Sequence, residues 1–469
     1  MNGDGVLVAA GRSLFGAEAA VETVAEVTTF QTGLFAAILV VTLVVLATEK
    51  IQKTVLVLSS ALICLFLADF FGYFPHTEGH HLPVYIEMIE WEVIGIVIGA
   101  TVFVEVAARS GIFSWVSIKI LKRSKGDPFR LLIFLSVLTV IFSAFLDNIT
   151  AMIIVGSLTV VACRKLDLDA TPFLITEGLM TNVGGLLTLI SSIPNIIIGK
   201  VADIGYLTFL IVAGPYTVLA VILSMFIARW IFASKVAPLK DPEAIRKNQA
   251  LVDAFDEWEA VTDRRFFYTS IVAVILVILA FAFKAQIPIL RDFGIEIVAM
   301  GAAVIMLLLH AKDVEKDLEK VEWSLVFFFV GLFTIIGVME KAQVLAEIGG
   351  LISRVTDASG AIGLMWFTAI FSSITDNIPL AAMLAKILGP TPELAAELPR
   401  TQWWAVVFGA NLGGNITPIG SASTVVACTI LKKNNLKVSF MGFVKVGAVF
   451  AFAQLALASF YLVILAKIL

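Results

Sequence analysis

The chain has 469 residues, of which 59% are hydrophobic and only 15% are charged, and its mean hydropathy is +0.98. Soluble domains contain about 45 to 50% apolar and about 25% charged residues, so this composition excludes an ordinary water-exposed surface and indicates an integral membrane protein. The 33 Lys and Arg nearly balance the 37 Asp and Glu, which gives no reason to expect a nucleic-acid partner.

Long apolar runs indicate that the membrane spans are helices. Membrane β-strands alternate apolar and polar residues, whereas positions 35–47 and 266–283 are apolar almost throughout. The three cysteines, Cys64, Cys163 and Cys428, also fall in apolar stretches, which favours buried thiols over a disulfide framework or a zinc cluster. We therefore expect an all-α polytopic membrane protein that binds no cofactor.

Residues 1–30 are predicted to be an extracytoplasmic N-terminal extension, because they lack the basic start and long apolar core of a signal peptide. Residues 31–234 are predicted to form a first half. Its membrane segments are identified by the rule that a helix needs about 20 apolar residues to cross the hydrocarbon core. The apolar segments of this half lie at 33–48, 54–71, 92–108, 131–163, 171–199 and 204–231.

A polar stretch, 235–265, is predicted to be a cytoplasmic linker between this half and a second one, 266–469. The apolar segments of the second half lie at 266–284, 292–310, 322–339, 361–389, 402–431 and 439–467. Short loops rich in Lys and Arg stay in the cytoplasm. The loops with this composition lie at 49–53, 119–130, 164–165, 235–265 and 432–437. Both chain termini are then expected outside the cytoplasm.

The loop from 71 to 90 contains no Lys or Arg and should face outside. It carries His76, His80 and His81, which could together bind a metal ion. A solvated loop is the interpretation that we favour.

The segment 131–163 begins at Arg130 and ends at Arg164, which the charge rule places on the same side of the membrane. Its two arms meet at the polar tetrapeptide Asp-Asn-Ile-Thr, 147–150, and both are short for full crossings. We predict a re-entrant helical hairpin with its tip near mid-membrane, and two tight, tilted spans are the alternative. The segment 361–389 has the same form and should enter from the opposite face.

A series of residues recurs 229 positions later in the chain, beginning with Asp147 and Asp376. The other pairs are Asn148 with Asn377, Asn182 with Asn411, Gly184-Gly185 with Gly413-Gly414, Thr188 with Thr417, and Ser192 with Ser421. Each half contains five crossing segments and one hairpin, and an odd number of crossings requires the second half to insert upside down. Inverted repeats are typical of secondary transporters, whose sites lie at the repeat interface near the bilayer midplane.

Glycines and polar residues interrupt the apolar pattern of 171–199 and of 402–431. These interruptions predict a discontinuous helix in each half. Broken helices expose carbonyls and hydroxyls to a cation, and half-helix N-termini to an anion. The residues that we expect to bind an ion or substrate there are Asn182, Thr188, Ser192, Asn195, Asn411, Thr417, Ser421 and Thr424. Close helix packing alone is the alternative explanation.

Two aspartates lie between apolar arms, at the tips of the predicted hairpins. An Asp at mid-membrane costs about 2.5 to 3.5 kcal/mol on insertion scales and is therefore a functional candidate by default. We expect a Na⁺ site made by Asp147, Asn148, Asp376 and Asn377, with Thr150 as a further binding residue.

Two other charged residues lie in apolar segments, and for these the sequence suggests roles outside the predicted Na⁺ site. Glu177 precedes Thr188 by 11 residues, about 16 Å of helix, and is a candidate for a proton path from the cytoplasmic side. Lys386 follows Asp376 by ten residues and should pair with a lipid headgroup or with an acid in a loop.

The motifs resemble those of a known superfamily of ion transporters. In the first half they are Leu146-Asp-Asn-Ile-Thr150, Asn182-Val-Gly-Gly185 and Ser192-Ile-Pro-Asn195, and in the second Thr375-Asp-Asn-Ile-Pro379, Asn411-Leu-Gly-Gly414 and Thr417-Pro-Ile-Gly-Ser421. This superfamily includes the arsenite permeases, the NhaD sodium/proton antiporters, the melanosomal P protein and, more distantly, dicarboxylate/sodium symporters. The resemblance covers nearly the whole chain from about residue 33 onward.

The resemblance implies a scaffold domain and a transport domain in each half, with the hairpin tip and the broken helix forming a clamshell. It also implies a homodimer that works by an elevator motion. In the dicarboxylate branch both tips carry a neutral Ser-Asn-Thr motif, whereas here both read Asp-Asn. Two carboxylates attract a cation or protons and repel an anion, which weighs against an organic anion as cargo.

The favoured interpretation is a secondary transporter that exchanges Na⁺ or Li⁺ for H⁺ by alternating access, with Asp147 and Asp376 binding cation and proton in turn. The alternative on the same fold is an H⁺- or Na⁺-coupled anion transporter that exports arsenite or takes up a di- or tricarboxylate. Arsenite favours thiols, but Cys163 and Cys428 do not occupy equivalent repeat positions.

An enzyme is not expected, because the four histidines supply neither a nucleophile with its base nor a metal cluster. A channel is disfavoured, since inverted repeats with opposed hairpins imply alternating access. The expected partners are the lipid bilayer, small ions and a second copy of the chain, in the plasma (inner) membrane of a prokaryote.

Overall fold

The computed structural model describes residues 27–48, 50–74, 84–310, 314–319 and 321–468. Within these ranges the regular secondary structure is entirely helical. The predictions for most of the N-terminal extension and for His76, His80 and His81 lie outside the described residues. The prediction of an all-α membrane protein is confirmed, because nine of the described helices are long and apolar enough to cross a membrane.

The first half and the linker contain eleven α-helices. They are α1 Thr29–Thr48, α2 Lys53–Phe70, α3 Val84–Glu87, α4 Trp91–Arg109, α5 Ile112–Arg123, α6 Pro128–Ser143, α7 Asn148–Leu166, α8 Thr171–Gly184, α9 Ile193–Val201, α10 Tyr206–Ile231 and α11 Pro242–Asp253. A single 3₁₀ turn, Leu189–Ser191, lies between α8 and α9.

The second half contains eleven more helices in a similar order. They are α12 Arg264–Ala282, α13 Pro288–Arg291, α14 Ile295–Leu309, α15 Val314–Glu319, α16 Trp323–Lys341, α17 Val344–Ser372, α18 Asn377–Leu388, α19 Pro392–Glu397, α20 Arg400–Gly413, α21 Ala422–Lys433 and α22 Phe440–Leu465.

Both predicted hairpins are pairs of helices joined by a short turn. Asp127 caps the start of α6 by accepting a hydrogen bond from the backbone N–H of Arg130, at 2.9 Å, and Pro128 occupies the first helical position. In the second half, Gly360 has a left-handed backbone (φ 62°) that divides α17. The part of α17 after this kink forms the first arm of the second hairpin, and α18 forms the other.

The tip of the first hairpin lies beside the break between α8 and α9, because α6 and α7 both pack along α8. The expectation that both arms are too short to cross is wrong for α7, which has 19 residues and is long and apolar enough to span a membrane. The re-entrant hairpin and the alternative of two tight, tilted spans therefore both stay predictions. Insertion of the two halves in opposite directions stays a prediction.

The repeat seen in the sequence is also present in the packing. At Gly184 a Cβ atom would meet the backbone of Val140 on α6, and at Gly413 it would meet the backbone of Ala369 on α17. Each pair is related to the other by the shift of 229 residues. Glycine is therefore required at both positions, since the hairpin arm approaches the broken helix too closely for any side chain.

Short helices outside the apolar segments were not foreseen from hydropathy. α5 ends in Lys122 and Arg123, and α11 lies within the predicted linker. Lys119 and Lys122 both pair with Glu257, which follows α11. The pairs hold the pKa of Glu257 down at about 2, mainly through the hydrogen bond from Lys122. These polar helices lack an apolar run, so a search for spans passes over them.

Candidate functional site

A cavity of about 690 Å³ lies between the two hairpin tips, the two helix breaks and the first turns of α2 and α16. Six of the residues predicted to bind an ion or substrate line it: Asp147, Asn148, Ser192, Asp376, Asn377 and Ser421. The fold thus brings together residues that are separated by more than 200 positions in the chain.

Acidic groups outnumber basic ones among the described residues that line this cavity. Its lining includes four carboxyl groups, from Asp147, Asp376, Glu319 and Glu322, and one ammonium group, from Lys53. Several carboxylates around one water-accessible space attract cations and protons and repel anions. The remaining surface is largely apolar, with Ile96, Val97 and Phe328 among its members.

The first tip is organised by Asp147, which is half-buried and caps α7. Its Oδ1 accepts hydrogen bonds from the backbone N–H groups of Ile149 and Thr150, both at 2.9 Å. An aspartate is favoured at this position because it satisfies N–H groups that have no partner within the helix. Thr150 contributes this backbone N–H and does not line the cavity.

Asn148 connects the first tip to the broken helix behind it. Its Oδ1 accepts a hydrogen bond from Ser143 at 2.7 Å, and its Nδ2 lies 3.5 Å from Oδ1 of Asn182. The side chain is therefore held at the cavity wall by contacts with both α6 and α8.

The second tip differs from the first, although the sequences match. Asp376 is only 9% exposed, and its Oδ2 accepts a hydrogen bond from the Lys53 ammonium at 2.9 Å. Its side chain makes no capping bond to α18. The two equivalent aspartates thus have different partners: one bonds to its own helix, and the other forms an ion pair with α2.

Two threonines fix the hairpin tips to the helix breaks by equivalent hydrogen bonds. Thr188 donates to the backbone carbonyl of Ala144 at 2.7 Å, and Thr417 donates to the carbonyl of Ser373 at 2.6 Å. The donors and the acceptors are both related by 229 residues. Both hydroxyls are used in holding the clamshell together, behind the cavity wall.

A buried network of amides and hydroxyls supports the wall from behind. Asn182 donates to Oδ1 of Asn415 at 2.8 Å and to Oγ of Ser421 at 2.9 Å, and Asn415 donates to Gln454 on α22 at 2.9 Å. Thr424 belongs to the same network, since its hydroxyl lies 3.2 Å from that of Ser421. Buried polar groups of this kind need partners, and here they position Ser421 at the cavity.

The two broken helices also meet directly. Asn411 on α20 donates from Nδ2 to Oδ1 of Asn195 on α9 at 2.9 Å, and both side chains are fully buried. Asn195 in turn donates to the carbonyls of Gly185 and Thr188. These two predicted binding residues therefore hold the breaks together and do not line the cavity.

Glu177 lies inside the protein and away from the cavity lining. Thr159 on α7 donates to its Oε1 at 2.6 Å, while its Oε2 has no hydrogen-bond partner within the described part of the chain. The side chain is fully buried. A carboxyl group in this setting is compatible with the predicted proton path, but no continuous chain of polar groups joins it to Asp147 among the described residues.

A second ion cluster lies near the C-terminal ends of α9 and α18, at the start of α4. Glu90 accepts hydrogen bonds from Lys200 at 2.6 Å and pairs with Lys386 at 3.1 Å, and Lys200 also pairs with Glu92. The expectation that Lys386 pairs with an acid in a loop is confirmed. This cluster connects one helix of the scaffold to one arm of the second hairpin and to the end of the first broken helix.

Sequence reasoning missed Lys53, Glu319 and Glu322 in the cavity lining, and Asn415 and Gln454 in the network behind it. The Glu-Trp pair at 90–91 recurs at 322–323, and each Trp donates its indole N–H to the carbonyl five residues earlier. This repeated pair was the available signal for Glu322. Lys53 carried no such signal, because a lysine at the start of a span is ordinarily a cytoplasmic anchor.

Comparison with known proteins identifies the chain's relatives. The family described as "Citrate transporter", CitMHS, matches residues 43–409. The 46 kDa membrane protein of Mycobacterium leprae is 31% identical over 437 residues, which cover 91% of this chain and 96% of that protein. The P protein of Homo sapiens is 27% identical over 436 residues, covering 77% of this chain and 52% of the human protein.

Two solved structures share the fold at 13% sequence identity. The YdaH transporter of Alcanivorax borkumensis aligns with a TM-score of 0.58, over 88% of this chain and 98% of that chain. MtrF of Neisseria gonorrhoeae, described as one of a class of antimetabolite efflux pumps, aligns with a TM-score of 0.54, over 91% of this chain and 97% of that chain. Both are likenesses of fold.

Proposed function

The chain belongs to the citrate transporter family of membrane transporters, and from this premise we propose that it exchanges Na⁺ or Li⁺ for H⁺ by alternating access. The observation that carries the proposal is the charge of the cavity. Both hairpin tips place an aspartate at one cavity, and Glu319 and Glu322 add two further carboxyl groups, against one ammonium, that of Lys53, among the described residues of the lining. Such a cavity concentrates small cations and protons.

The proposed mechanism is competition between a cation and a proton for the same carboxyl groups. A carboxylate removed from water favours the protonated form, while a nearby cation favours the charged form. Asp147 and Asp376, supported by Asn148 and Asn377, bind Na⁺ when charged and a proton when neutral. The hairpins and broken helices then carry whichever cargo is bound, provided that the empty, charged carrier reorients poorly.

The test uses purified protein in liposomes with imposed Na⁺ and pH gradients. Wild type should show Na⁺-driven proton flux, and Asp147→Asn or Asp376→Asn should each reduce the coupled flux by more than about tenfold, since each removes a charge that the cargo must neutralise. Asp292→Asn is the matched control, because Asp292 is an exposed aspartate beyond α13. Expression and monodispersity of each variant should equal those of wild type.

Two outcomes would contradict the proposal. Full coupled flux in the Asp147→Asn, Asp376→Asn double variant would remove both residues from the mechanism. A wild type that ignores Na⁺ but responds to citrate or arsenite would favour the second candidate.

That second candidate is H⁺- or Na⁺-coupled transport of an anion, by uptake of a di- or tricarboxylate or by export of arsenite. Two observations favour it: the family is described as citrate transporters, and the cavity of about 690 Å³ is larger than a bare ion requires. Lys53 is the ammonium that a carboxylate would contact in that cavity. The same liposomes, supplied with labelled citrate or arsenite, decide between the candidates.

We also propose that the protein resides as a homodimer in the plasma (inner) membrane of a prokaryote. The relatives from Mycobacterium support this location. Mass measurement in detergent or in nanodiscs tests the oligomeric state, and a monomer in both media would count against the dimer.

A further inference from the structure

The ion pair between Lys53 and Asp376 joins parts of the fold that are 323 residues apart in the chain. Lys53 is the first residue of α2, which packs chiefly along α16 and α1. Asp376 precedes α18, which packs on α9, α17 and α20. The pair therefore connects a helix outside the clamshell to the tip of the second hairpin.

Both members of the pair face the cavity. The Lys53 side chain is 34% exposed, whereas that of Asp376 is 9% exposed, so water reaches the ammonium more readily than the carboxylate. The equivalent aspartate, Asp147, caps its own helix and has no lysine within the distance of an ion pair among the described residues. The protein thus supplies a cation to one of two equivalent carboxylates and leaves the other to the cavity.

We propose that Lys53 is a resident counter-cation, which occupies Asp376 when the site is empty and competes with the transported cation for that carboxylate. This rests on the proposed function of cation transport. The ammonium lies 2.9 Å from Oδ2, where a bound cation would also have to lie. Na⁺ must displace it or bind beside Asp147 alone. In either case Lys53 lowers the attraction of the empty site for cations.

Specific consequences follow for Na⁺ binding to the purified full-length protein. Lys53→Gln removes the competitor and should lower the half-saturating Na⁺ concentration by about three- to tenfold, a change typical of a close, partly desolvated charge. Lys53→Arg keeps a cation at this position and should remain near wild type. Asp376→Asn removes one negative charge from the cavity lining and with it the carboxylate that Lys53 contacts, and should raise the half-saturating concentration.

The experiment is a double-variant cycle read by the Na⁺-dependent shift in Tm, which requires binding but not transport. In the Asp376→Asn background the carboxylate for which Lys53 competes is absent, so adding Lys53→Gln should lose its effect of about three- to tenfold and leave the half-saturating Na⁺ concentration close to that of Asp376→Asn alone. Strictly additive effects of the two changes would overturn the proposal. So would an unchanged half-saturating concentration in Lys53→Gln, even if its Tm falls, because a purely structural ion pair predicts that result.

A further measurement needs no cargo and separates this inference from the proposed function. A chain with its three cysteines replaced by serine receives a single cysteine at Ser324, an exposed residue of the cavity lining. Lys53→Gln should raise the ratio of its reaction rates with a cationic and an anionic thiosulfonate by about threefold, since local charge biases the approach of a charged reagent. An unchanged ratio would overturn the proposal.

The outcomes distinguish the two claims. Na⁺ exchange in wild type together with no effect of Lys53→Gln would reject the counter-cation and leave the proposed function standing. Citrate transport without Na⁺ exchange would reject the proposed function. If Lys53→Gln then abolished citrate binding, Lys53 would be an anion ligand and the counter-cation proposal would also fail.

Discussion

Asn411 donates a hydrogen bond to Asn195 at 2.9 Å, and so joins the broken helix of one half to the broken helix of the other at a fully buried point. The contact spans 216 residues of sequence. This hydrogen bond links the two halves directly. Thr188 and Thr417, which lie in the same helix breaks, hold the hairpin tips by hydrogen bonds to backbone carbonyls.

Removal of this central contact should destabilise the fold. Asn411→Ala leaves Oδ1 of Asn195 without its donor in a site that excludes water, which should lower the free energy of unfolding by about 1 to 3 kcal/mol. Thermal unfolding in detergent is the measurement, with Gln286→Ala as the control, because Gln286 is an exposed amide. An equal Tm in both variants would show that the contact does not hold the halves together.

The topology prediction can be tested at the outer ends of the two hairpins. Cysteines placed at Lys125, just before α6, and at Glu393, just after α18, should react with an impermeant maleimide from the cytoplasm and from the outside, respectively. The three native cysteines must first be replaced, and permeabilised cells provide the control for reactivity. If both sites react from the same side, the two halves are not inverted.

Ser421 should influence ion affinity more than stability. Its hydroxyl lies at the cavity and accepts a hydrogen bond from Asn182, which keeps its second partner, Asn415, when Ser421 is replaced. Ser421→Ala should therefore weaken the apparent affinity for the cation by about three- to tenfold, as expected for one lost ligand or positioning bond. Thr429→Ala is the matched control, because Thr429 is an exposed residue of α21, the helix that Ser421 caps, and its hydroxyl donates to the carbonyl of Val425. Equal affinities in the two variants would assign Ser421 to packing.

Glu177 should affect the pH dependence of transport without being essential. Glu177→Gln retains a side chain of the same shape and an oxygen for the hydrogen bond from Thr159. We expect coupled flux to persist, with its pH optimum moved by less than about one unit, a shift equivalent to about 1.4 kcal/mol. Flux measured at a series of pH values is the test. Complete loss of coupling in a folded variant would place Glu177 among the required groups.

The cluster of Glu90 with Lys200 and Lys386 should make stability depend on pH. Burial by itself would raise the pKa of Glu90, but the hydrogen bonds and charges of the two lysines outweigh it and hold the pKa below its ordinary value. A depressed folded-state pKa means that the stabilisation is fully present above about pH 4.3 and is lost as the pH falls through the folded-state value.

Glu90→Gln should accordingly lower Tm at about pH 7 and lose that difference as the pH is brought below about 4. Comparison of the two Tm curves across this range is the measurement. Glu397→Gln serves as the control, because Glu397 is an exposed residue at the end of α19. A gap between wild type and Glu90→Gln that widens toward acid would contradict the assigned sign.

The sequence by itself determined the long apolar helices, their order and the positions where they break, although not the short polar helices such as α5 and α11. Apolar runs and polar interruptions are local properties, and the energy of moving a peptide into lipid is set mainly by about 20 consecutive residues. For the same reason the tetrapeptide around Asp147 and its copy around Asp376 could be located without a structure. The recurrence at 229 residues then paired the two halves, and the packing of Gly184 and Gly413 shows the same pairing.

Only the tertiary structure decided which of these residues face the cavity. The side chains of Thr188, Thr417, Asn195 and Asn411 match the binding pattern as well as those of Ser192 and Ser421 do, yet their hydrogen bonds hold helices together. Oδ1 of Asn411 is buried and has no partner within the described part of the chain. A hydroxyl or an amide in lipid must find some partner, and sequence does not say whether that partner is a backbone carbonyl or an ion.

The tertiary structure also showed that the two equivalent aspartates have different bonding partners. Asp147 satisfies the N–H groups of its own helix, a contact between neighbours that a capping rule predicts. Asp376 instead meets Lys53, 323 positions away, because the fold brings the first turn of α2 to the second hairpin tip. The sequence pattern does not predict this ion pair, because the partner of a charged group depends on which residues the tertiary fold places beside it.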